Sequence, residues 1–276
     1  MIDQDDADGL AVHPLRARIL AETHARPFTP QPTPARVLRF AFTLDPGAPD
    51  RDRDELTRLC AARGLTPPAA DARHMTLDLD EAHLRWERHG EFVTFTWSFK
   101  AATPTPFAPP ARAFAPVTRL MPQPGPLLAA IDLHIVPAAA APAGVAAFFA
   151  PGQVAVSDCD DDRALAATDL KTDEGGFVRL LVLDRSLSPM SAGALAQRLL
   201  EIETYRCLAL LGLPEAQKLG PSLRRIETAL PDIMRRMQES EGVEANRALL
   251  DSLGALSTEL EAGAAESGYR FGATRA

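Results

Sequence analysis

The sequence has few of the residues from which recognisable sites are usually built. Its three cysteines, Cys60, Cys159 and Cys207, lie far apart and form no CxxC pair. This excludes a disulfide framework and a sequence-encoded zinc site, and it indicates free thiols in a reducing compartment. The sequence also lacks a GxxxxGK[ST] phosphate loop, a GxGxxG after a strand, a GxSxG elbow and an HExxH helix. These absences argue against the common nucleotide-dependent, hydrolase and protease mechanisms.

Long apolar runs and an excess of positive charge are also missing. No run of about 18 apolar residues occurs, so no segment is predicted to span a bilayer. The first ten residues, MIDQDDADGL, are acidic where a secretion signal would be basic. The net charge of −8 argues against nucleic acid or anionic lipid as the principal partner. Hydrophobic residues make up 46% of the 276 residues, which is enough for a sizeable core.

Alternating apolar and polar residues predict an antiparallel sheet. The clearest case is residues 92–99, in which Val93, Phe95 and Trp97 alternate with threonines. We predict an α+β fold in which residues 1–34 are a tail and docking arm and residues 35–187 are a mainly antiparallel sheet region with flanking helices. Prolines are dense between residues 101 and 126, which leaves open one sheet region or two subdomains. Residues 127–135 fit either a helix or a strand.

Residues 188–276 are predicted to be helical. Ser188 is a favourable N-cap before Pro189, and Gly212 is predicted to be a left-handed C-cap, with Pro214 blocking continuation. Leucine, isoleucine and methionine then recur every three or four residues, which predicts a helical hairpin or coiled coil broken at 241–242. We expect Pro221 or Pro231 to begin a helix and the other to kink it. This pattern predicts self-association, and because it reaches the last residues we expect the natural protein to continue.

Three stretches together resemble a known family. They are HPLR with HARPF in residues 13–28, RWERH with a following EF in residues 84–99, and QRLLEIETYRCLALLGLP in residues 197–214. They resemble the family of unknown function numbered 3422. The resemblance implies that this chain is the N-terminal part of a parent protein anchored to the inner membrane, with this part on the cytoplasmic side. Membrane attachment would then lie in a C-terminal region that is not in this sequence. The resemblance supplies no catalytic residue.

Two polar groups are candidate ligand-binding sites. Glu87, Arg88, His89 and Glu91 surround a predicted turn, where they form either a small polar or metal site or an exposed charged hairpin tip.

The second group, His24 and Arg26, lies in the docking arm. Arg26 either binds a carboxylate or phosphate of a ligand or pairs with an internal acid such as Glu203. Glu203 and Arg206 lie on the predicted helix, as part of a site or of a solvated face.

Acidic residues between 158 and 174 have two interpretations as well. Asp169, Asp173 and Glu174 could bind a cation, but acids that form a turn before Gly175 need no such explanation. The aspartates of residues 158–162 resemble a calcium loop in composition but lack its glycine and its distal glutamate. We therefore predict no metal and no cofactor.

The function favoured by these observations is a non-enzymatic, cytoplasmic ligand-sensing or scaffolding domain of a membrane-anchored oligomer, with an unknown protein or small-molecule partner. The alternative is a hydrolase or metal-assisted enzyme that uses histidine and carboxylate groups near Arg26 and His89. A pocket where these groups converge would favour the enzyme. A dry ion-pair network at the same place would favour the non-enzymatic domain.

Overall fold

The computed structural model describes residues 12–16, 28–44, 50–239 and 241–275. The chain divides into two compact units, residues 1–203 and 204–276. The described part of the first unit is an α+β arrangement, and that of the second is helical, so the predicted fold class is confirmed. Most of the predicted tail and docking arm, residues 1–34, falls outside the described residues.

The described residues of the first unit contain eight strands, all in one sheet. The strands are β1 (Ala35–Thr43), β2 (His74–Asp78), β3 (Ala82–Arg88), β4 (Phe92–Phe99), β5 (Leu127–Pro137), β6 (Ala155–Cys159), β7 (Ala164–Thr168) and β8 (Val178–Asp184). Their order is β2-β3-β4-β1-β5-β8-β7-β6, and every pair is antiparallel except β5 and β8, which run parallel. Residues 127–135 are therefore a strand, at the centre of the sheet.

Successive side chains of a strand point to opposite faces, so each strand serves two different cores. One face, which we call the helix face, carries Val37, Leu133 and Val182 and packs against a long helix, α3 (Pro189–Leu210). The other, which we call the cavity face, carries Leu38, Trp97 and Leu84 among its central residues. It packs against α1 (Arg51–Ala62) and against the connection that contains the 3-10 turn Ala111–Phe114 and the short helix α2 (Ala115–Thr118).

The start of α3 follows from local capping and close packing. Ser188 Oγ accepts a hydrogen bond from the Ser191 N–H at 3.1 Å, so the predicted N-cap is confirmed. An added Cβ at Gly193 would lie 2.2 Å from the carbonyl oxygen of Thr29. Only glycine lets the segment before β1 pass this close to α3.

The roles predicted for Gly212 and Pro214 at the end of this helix are wrong. A single residue separates the end of α3 from the start of helix α4 (Gly212–Glu239). The backbone of Gly212 does not adopt the left-handed conformation. Pro214 does not block the chain, because it lies in the first turn of α4, where a backbone N–H has no intrahelical partner to lose.

The described residues of the second unit form the predicted helical hairpin. Helix α5 (Val243–Arg275) packs against α4, and Gly242, with φ of 113°, turns the chain between them. Ion pairs join the two helices, including one from Lys218 to Glu266 at 2.9 Å. Pro221 and Pro231 both lie inside α4, so the expectation that one of them begins a helix is wrong. Among the described residues, no helix has the length and apolar character needed to cross a membrane.

Candidate functional site

The residues predicted around the β3–β4 turn do not share one environment. Glu87 and Arg88 are consecutive in β3, so their side chains point to opposite faces. Arg88, on the cavity face, pairs with Asp50 at 2.9 Å and with the buried Asp52. Asp52 also accepts a 2.9 Å hydrogen bond from Nε1 of Trp86. This group joins α1 to the sheet.

Glu87 lies on the helix face in a network of paired charges. Its carboxylate accepts a 2.8 Å hydrogen bond from Arg85 and lies 3.5 Å from Nη2 of Arg39. Arg85 also donates to Gln197 of α3 at 2.9 Å. Burial alone would raise the pKa of Glu87, but the positive charges of Arg85 and Arg39 outweigh it and hold that pKa below its usual value. Glu87 is 4% exposed, so this is a largely dry ion-pair network.

The other predicted site residues are dispersed. The ring of His89 stacks on Phe92, with centroids 4.0 Å apart. Glu91 is half-buried beside the turn, Glu203 is buried in α3, and Arg206 belongs to the second unit. His24 and Arg26 lie outside the described residues. Within the described ranges, no three histidine, cysteine or acidic side chains are placed to hold a metal ion. The assignment of these residues to a ligand site stays a prediction.

Two adjoining cavities lie on the cavity face. The first has a volume of about 590 Å³ and has charged side chains, including Arg179, Asp132 and Asp173, in its wall. The second has a volume of about 400 Å³ and is aromatic. Its wall contains Phe40, Phe42, Phe95, Trp97 and Phe177. Ala111, Arg112 and Gly175 line both cavities, so the two meet at these residues.

One row of side chains across the sheet passes through both cavities. The register places Trp97 beside Leu38, Leu38 beside Asp132, and Asp132 beside Arg179. The indole Nε1 of Trp97 and the Nε of Arg179 are both buried, and neither has a hydrogen-bond partner among the described residues. Leaving a buried donor unpaired costs about 1–3 kcal/mol, so two in one row require an explanation.

Asp132 lies between them in the row, and both of its carboxylate oxygens accept hydrogen bonds. Arg36 donates to its two carboxylate oxygens through Nε at 2.9 Å and Nη2 at 2.6 Å, and both side chains are 1% exposed. Burial raises the pKa of Asp132, and the bidentate pairing with Arg36 opposes that rise. Arg36 also donates to the carbonyl of Pro109 and lies 4.9 Å from the ring centroid of Phe114. The pair therefore ties the proline-rich connection to the sheet.

His134 holds the same connection in place. Its Nδ1 accepts a 2.9 Å hydrogen bond from the Phe107 N–H, so the ring proton is on Nε2, which donates to the Thr103 carbonyl at 2.9 Å. Burial, together with the nearby charge of Arg36, lowers the pKa of His134 to about 4, although the bond to Thr103 acts in the opposite direction. The imidazole is therefore neutral at pH 7.

Arg179 lies beside two aromatic rings that also contact each other, with ring centroids 6.0 Å apart. Its guanidinium lies 5.1 Å from the ring centroid of Phe107 and 5.5 Å from that of Phe149. Phe107 has φ of 57°, which is uncommon for a residue with a side chain. The rings contact the guanidinium on one side and leave donors at its edge for hydrogen bonding.

Two further acids of this cavity, Asp173 and Asp169, already have donors. Asp173 Oδ1 accepts from the backbone N–H groups of Gly175 and Phe177 at 2.8 and 3.0 Å, and Asp169 Oδ1 accepts from the Lys171 N–H at 3.2 Å. These hydrogen bonds are the ones expected if the acids form turns, which was the alternative to cation binding.

Sequence reasoning missed the residues of this row, although a signal was present. Asp132 and His134 interrupt a long apolar strand two residues apart, as does Arg179 in β8. Polar side chains at this spacing share a face, and inside an apolar strand that face is buried. What the sequence does not contain is the register that aligns them with Trp97.

The fold and the cavities define an α+β protein with a mixed, mainly antiparallel sheet, one face of which is sealed by a helix and the other of which carries two joined cavities. A family model described as a protein of unknown function (DUF3422) matches residues 11–276. The chain belongs to this family, as the three sequence stretches indicated. Neither the curated proteins nor the solved structures gave a match to this chain.

Proposed function

We propose that the first unit is a ligand-binding, sensing domain whose ligand occupies the two joined cavities of the cavity face. The observation that carries this proposal is the pair of buried donors, Trp97 Nε1 and Arg179 Nε, that have no partner among the described residues and belong to residues lining the two cavities. A ligand with acceptor atoms would remove the free-energy cost of leaving these two donors unpaired. The cavity volumes are those of small-molecule sites.

Binding without catalysis is favoured over the alternative of a hydrolase or metal-assisted enzyme. The histidine and carboxylates that such an enzyme would use near His89 belong to a turn and to the ion-pair network of Glu87. His134 is neutral, and both of its ring nitrogens are hydrogen-bonded to the backbone, so it has no nitrogen left to act as a general base.

The family resemblance supports the remaining parts of the proposal. We propose that the parent protein is anchored to the inner membrane, that this domain lies on the cytoplasmic side, and that the C-terminal helices associate with other copies. Leu230, Met234 and Met237 of α4 are exposed apolar side chains that such contacts would cover. Light scattering at tens of micromolar should then give more than the mass of one chain, whereas a monomer would contradict the oligomer.

Gly175 allows a direct test of ligand binding. It lines both cavities, and its backbone is not left-handed, so a side chain there is sterically permitted. An added Cβ would lie 3.2 Å from Asp173 Oδ1 and 3.3 Å from the Phe177 ring, so each neighbour must shift by a few tenths of an ångström to admit it. Gly175→Leu should therefore fill the junction of the cavities.

The matched control is Gly90→Leu, at the β3–β4 turn, where an added Cβ meets no atom within 4 Å. Protein purified from its native cells should carry a small molecule, detected by comparing native and denaturing mass spectra. We expect the wild type and Gly90→Leu to retain it and Gly175→Leu to lose it. Absence of any such molecule from the wild type, or equal retention by Gly175→Leu, would show the proposal to be wrong.

A further inference from the structure

The charges around the first cavity are not equivalent, and their difference indicates what kind of ligand it takes. Asp132 is paired with Arg36, and Asp173 and Asp169 accept hydrogen bonds from turn backbone. The side chain of Arg179 lies beside two aromatic rings and has a buried Nε, and no ion pair or hydrogen bond joins that side chain to any described residue. The cavity therefore presents a cation with no direct ion pair among the described residues, whereas Asp132, Asp169 and Asp173 already accept hydrogen bonds.

A guanidinium in this setting selects a planar oxyanion. The rings of Phe107 and Phe149 lie 5.1 and 5.5 Å from it, so they shield part of its surface, while the donors at its edge stay available for bonding. A carboxylate matches the edge of a guanidinium with two parallel hydrogen bonds, which are stronger than bonds between neutral groups. An ammonium ligand would instead meet a like charge.

The second donor sets the length of the ligand. Trp97 and Arg179 lie in one row three strands apart, which at about 4.8 Å per strand puts their Cα atoms roughly 14 Å from each other. A small ion at Arg179 cannot also accept from Trp97. The space near Trp97 is walled by Phe40, Phe95 and Phe177, so the part of the ligand that lies there must be apolar around one acceptor oxygen.

We propose that the ligand is an extended amphiphilic carboxylate, with its carboxylate on Arg179, an apolar or aromatic body in the second cavity, and an uncharged oxygen that accepts from Trp97 Nε1. This inference rests on the proposed ligand-binding function and adds the chemical class. The two cavities bind different parts of the ligand. The first cavity binds the charged carboxylate, and the second binds the apolar body and its uncharged oxygen.

Four probe molecules test the class by calorimetry on the full chain at millimolar concentration. The reference probe, 7-benzoylheptanoate, carries a phenyl ketone and a carboxylate. The amide 7-benzoylheptanamide and the amine 7-benzoylheptylamine change only the charged end, and 8-phenyloctanoate removes only the ketone oxygen. We expect the reference probe to bind, the amide and the amine to bind at least about tenfold more weakly, and 8-phenyloctanoate about threefold to tenfold more weakly.

Two variants assign each preference to its residue. In Arg179→Gln the preference for the carboxylate over the amide should disappear. In Trp97→Phe the reference probe and 8-phenyloctanoate should bind equally well, while the preference for the carboxylate should remain. Preferences that survive unchanged in both variants would overturn the assignment.

The same measurements separate this inference from the proposed function. Suppose that the amine or the amide binds as tightly as the carboxylate, and that Gly175→Leu abolishes that binding. The proposed chemical class of the ligand is then wrong, and the proposed binding site is still supported. If none of the probes binds, the class is likewise wrong, and the molecule sought by mass spectrometry decides the function. If Gly175→Leu binds the reference probe as the wild type does, the probe lies elsewhere and both proposals fail.

Discussion

One polar group on each face of the sheet shows a difference in how buried side chains are partnered. On the helix face, Glu87 pairs with Arg85 and Arg39, and Arg85 reaches Gln197 of α3. On the cavity face, Trp97 and Arg179 line the two cavities and have buried donors that no described atom accepts. A charge network with its partners in place stabilises a fold, and unpaired donors beside a cavity fit a ligand. The polar residues most visible in the sequence belong to the first kind.

The largest expected effect comes from breaking the helix-face network. Glu87→Ala would leave Arg39 and Arg85 without their shared carboxylate in a buried setting, so the free energy of unfolding should fall by about 3–5 kcal/mol. Urea denaturation measures this loss. The control is Glu174→Ala, an exposed acid at the rim of the first cavity, which should change stability by less than about 0.5 kcal/mol. Equal, small losses in the two variants would mean that the network contributes little.

The second prediction concerns pH and the cavity face. His134 has a pKa of about 4 in the folded protein and about 6.5 when unfolded. Between these values the unfolded chain binds a proton that the folded chain does not, so His134 makes the fold less stable as the pH falls from 6.5 to 4. Its share of the loss should be about 3 kcal/mol.

Denaturation curves at several pH values for the wild type and His134→Gln isolate this share, because other groups titrate in both proteins. The wild type should lose stability more steeply than the variant between pH 6.5 and 4. Parallel pH dependence of the two proteins would contradict a buried neutral histidine.

The chain offers a matched pair for the third comparison, because it has two tryptophans, both fully buried. Trp86 donates to Asp52, and Trp97 has no acceptor among the described residues. Replacing either by phenylalanine removes a similar volume, so the difference between the variants reports the hydrogen bond. Without added ligand, Trp86→Phe should be less stable than Trp97→Phe by about 1–3 kcal/mol. Thermal and urea unfolding of the two variants would show this, and equal stabilities would mean that Trp97 has an acceptor after all.

Local features of the fold could be predicted because they depend on neighbours in sequence. Alternation located β4, and the Ser188-Pro189 pair located the start of α3 to the residue. The end of α3 could not be predicted in the same way. A glycine and a proline are as compatible with the first turn of a new helix as with the end of an old one, and Gly212 and Pro214 serve the former.

The candidate site was harder to predict because no short spacing encodes it. Trp97, Asp132 and Arg179 are brought into one row by strand order and register, including the single parallel pair of β5 with β8. Periodicity did indicate that a polar residue in an apolar strand is unusual, but not which residue on another strand lies beside it. The polar stretch Glu87–Glu91 attracted attention because its members are adjacent in sequence, and adjacency in a strand separates side chains between two faces.

The connection that closes the cavities is rich in proline, with eight prolines between residues 101 and 126. Proline restricts the backbone even in the unfolded chain, so this segment has less conformational entropy to lose on folding. Arg36 and His134 then fasten it at Pro109, Phe107 and Thr103 without any ligand. A wall that is ordered in advance spares an incoming molecule the entropic cost of ordering it, so more of the contact energy is available as affinity.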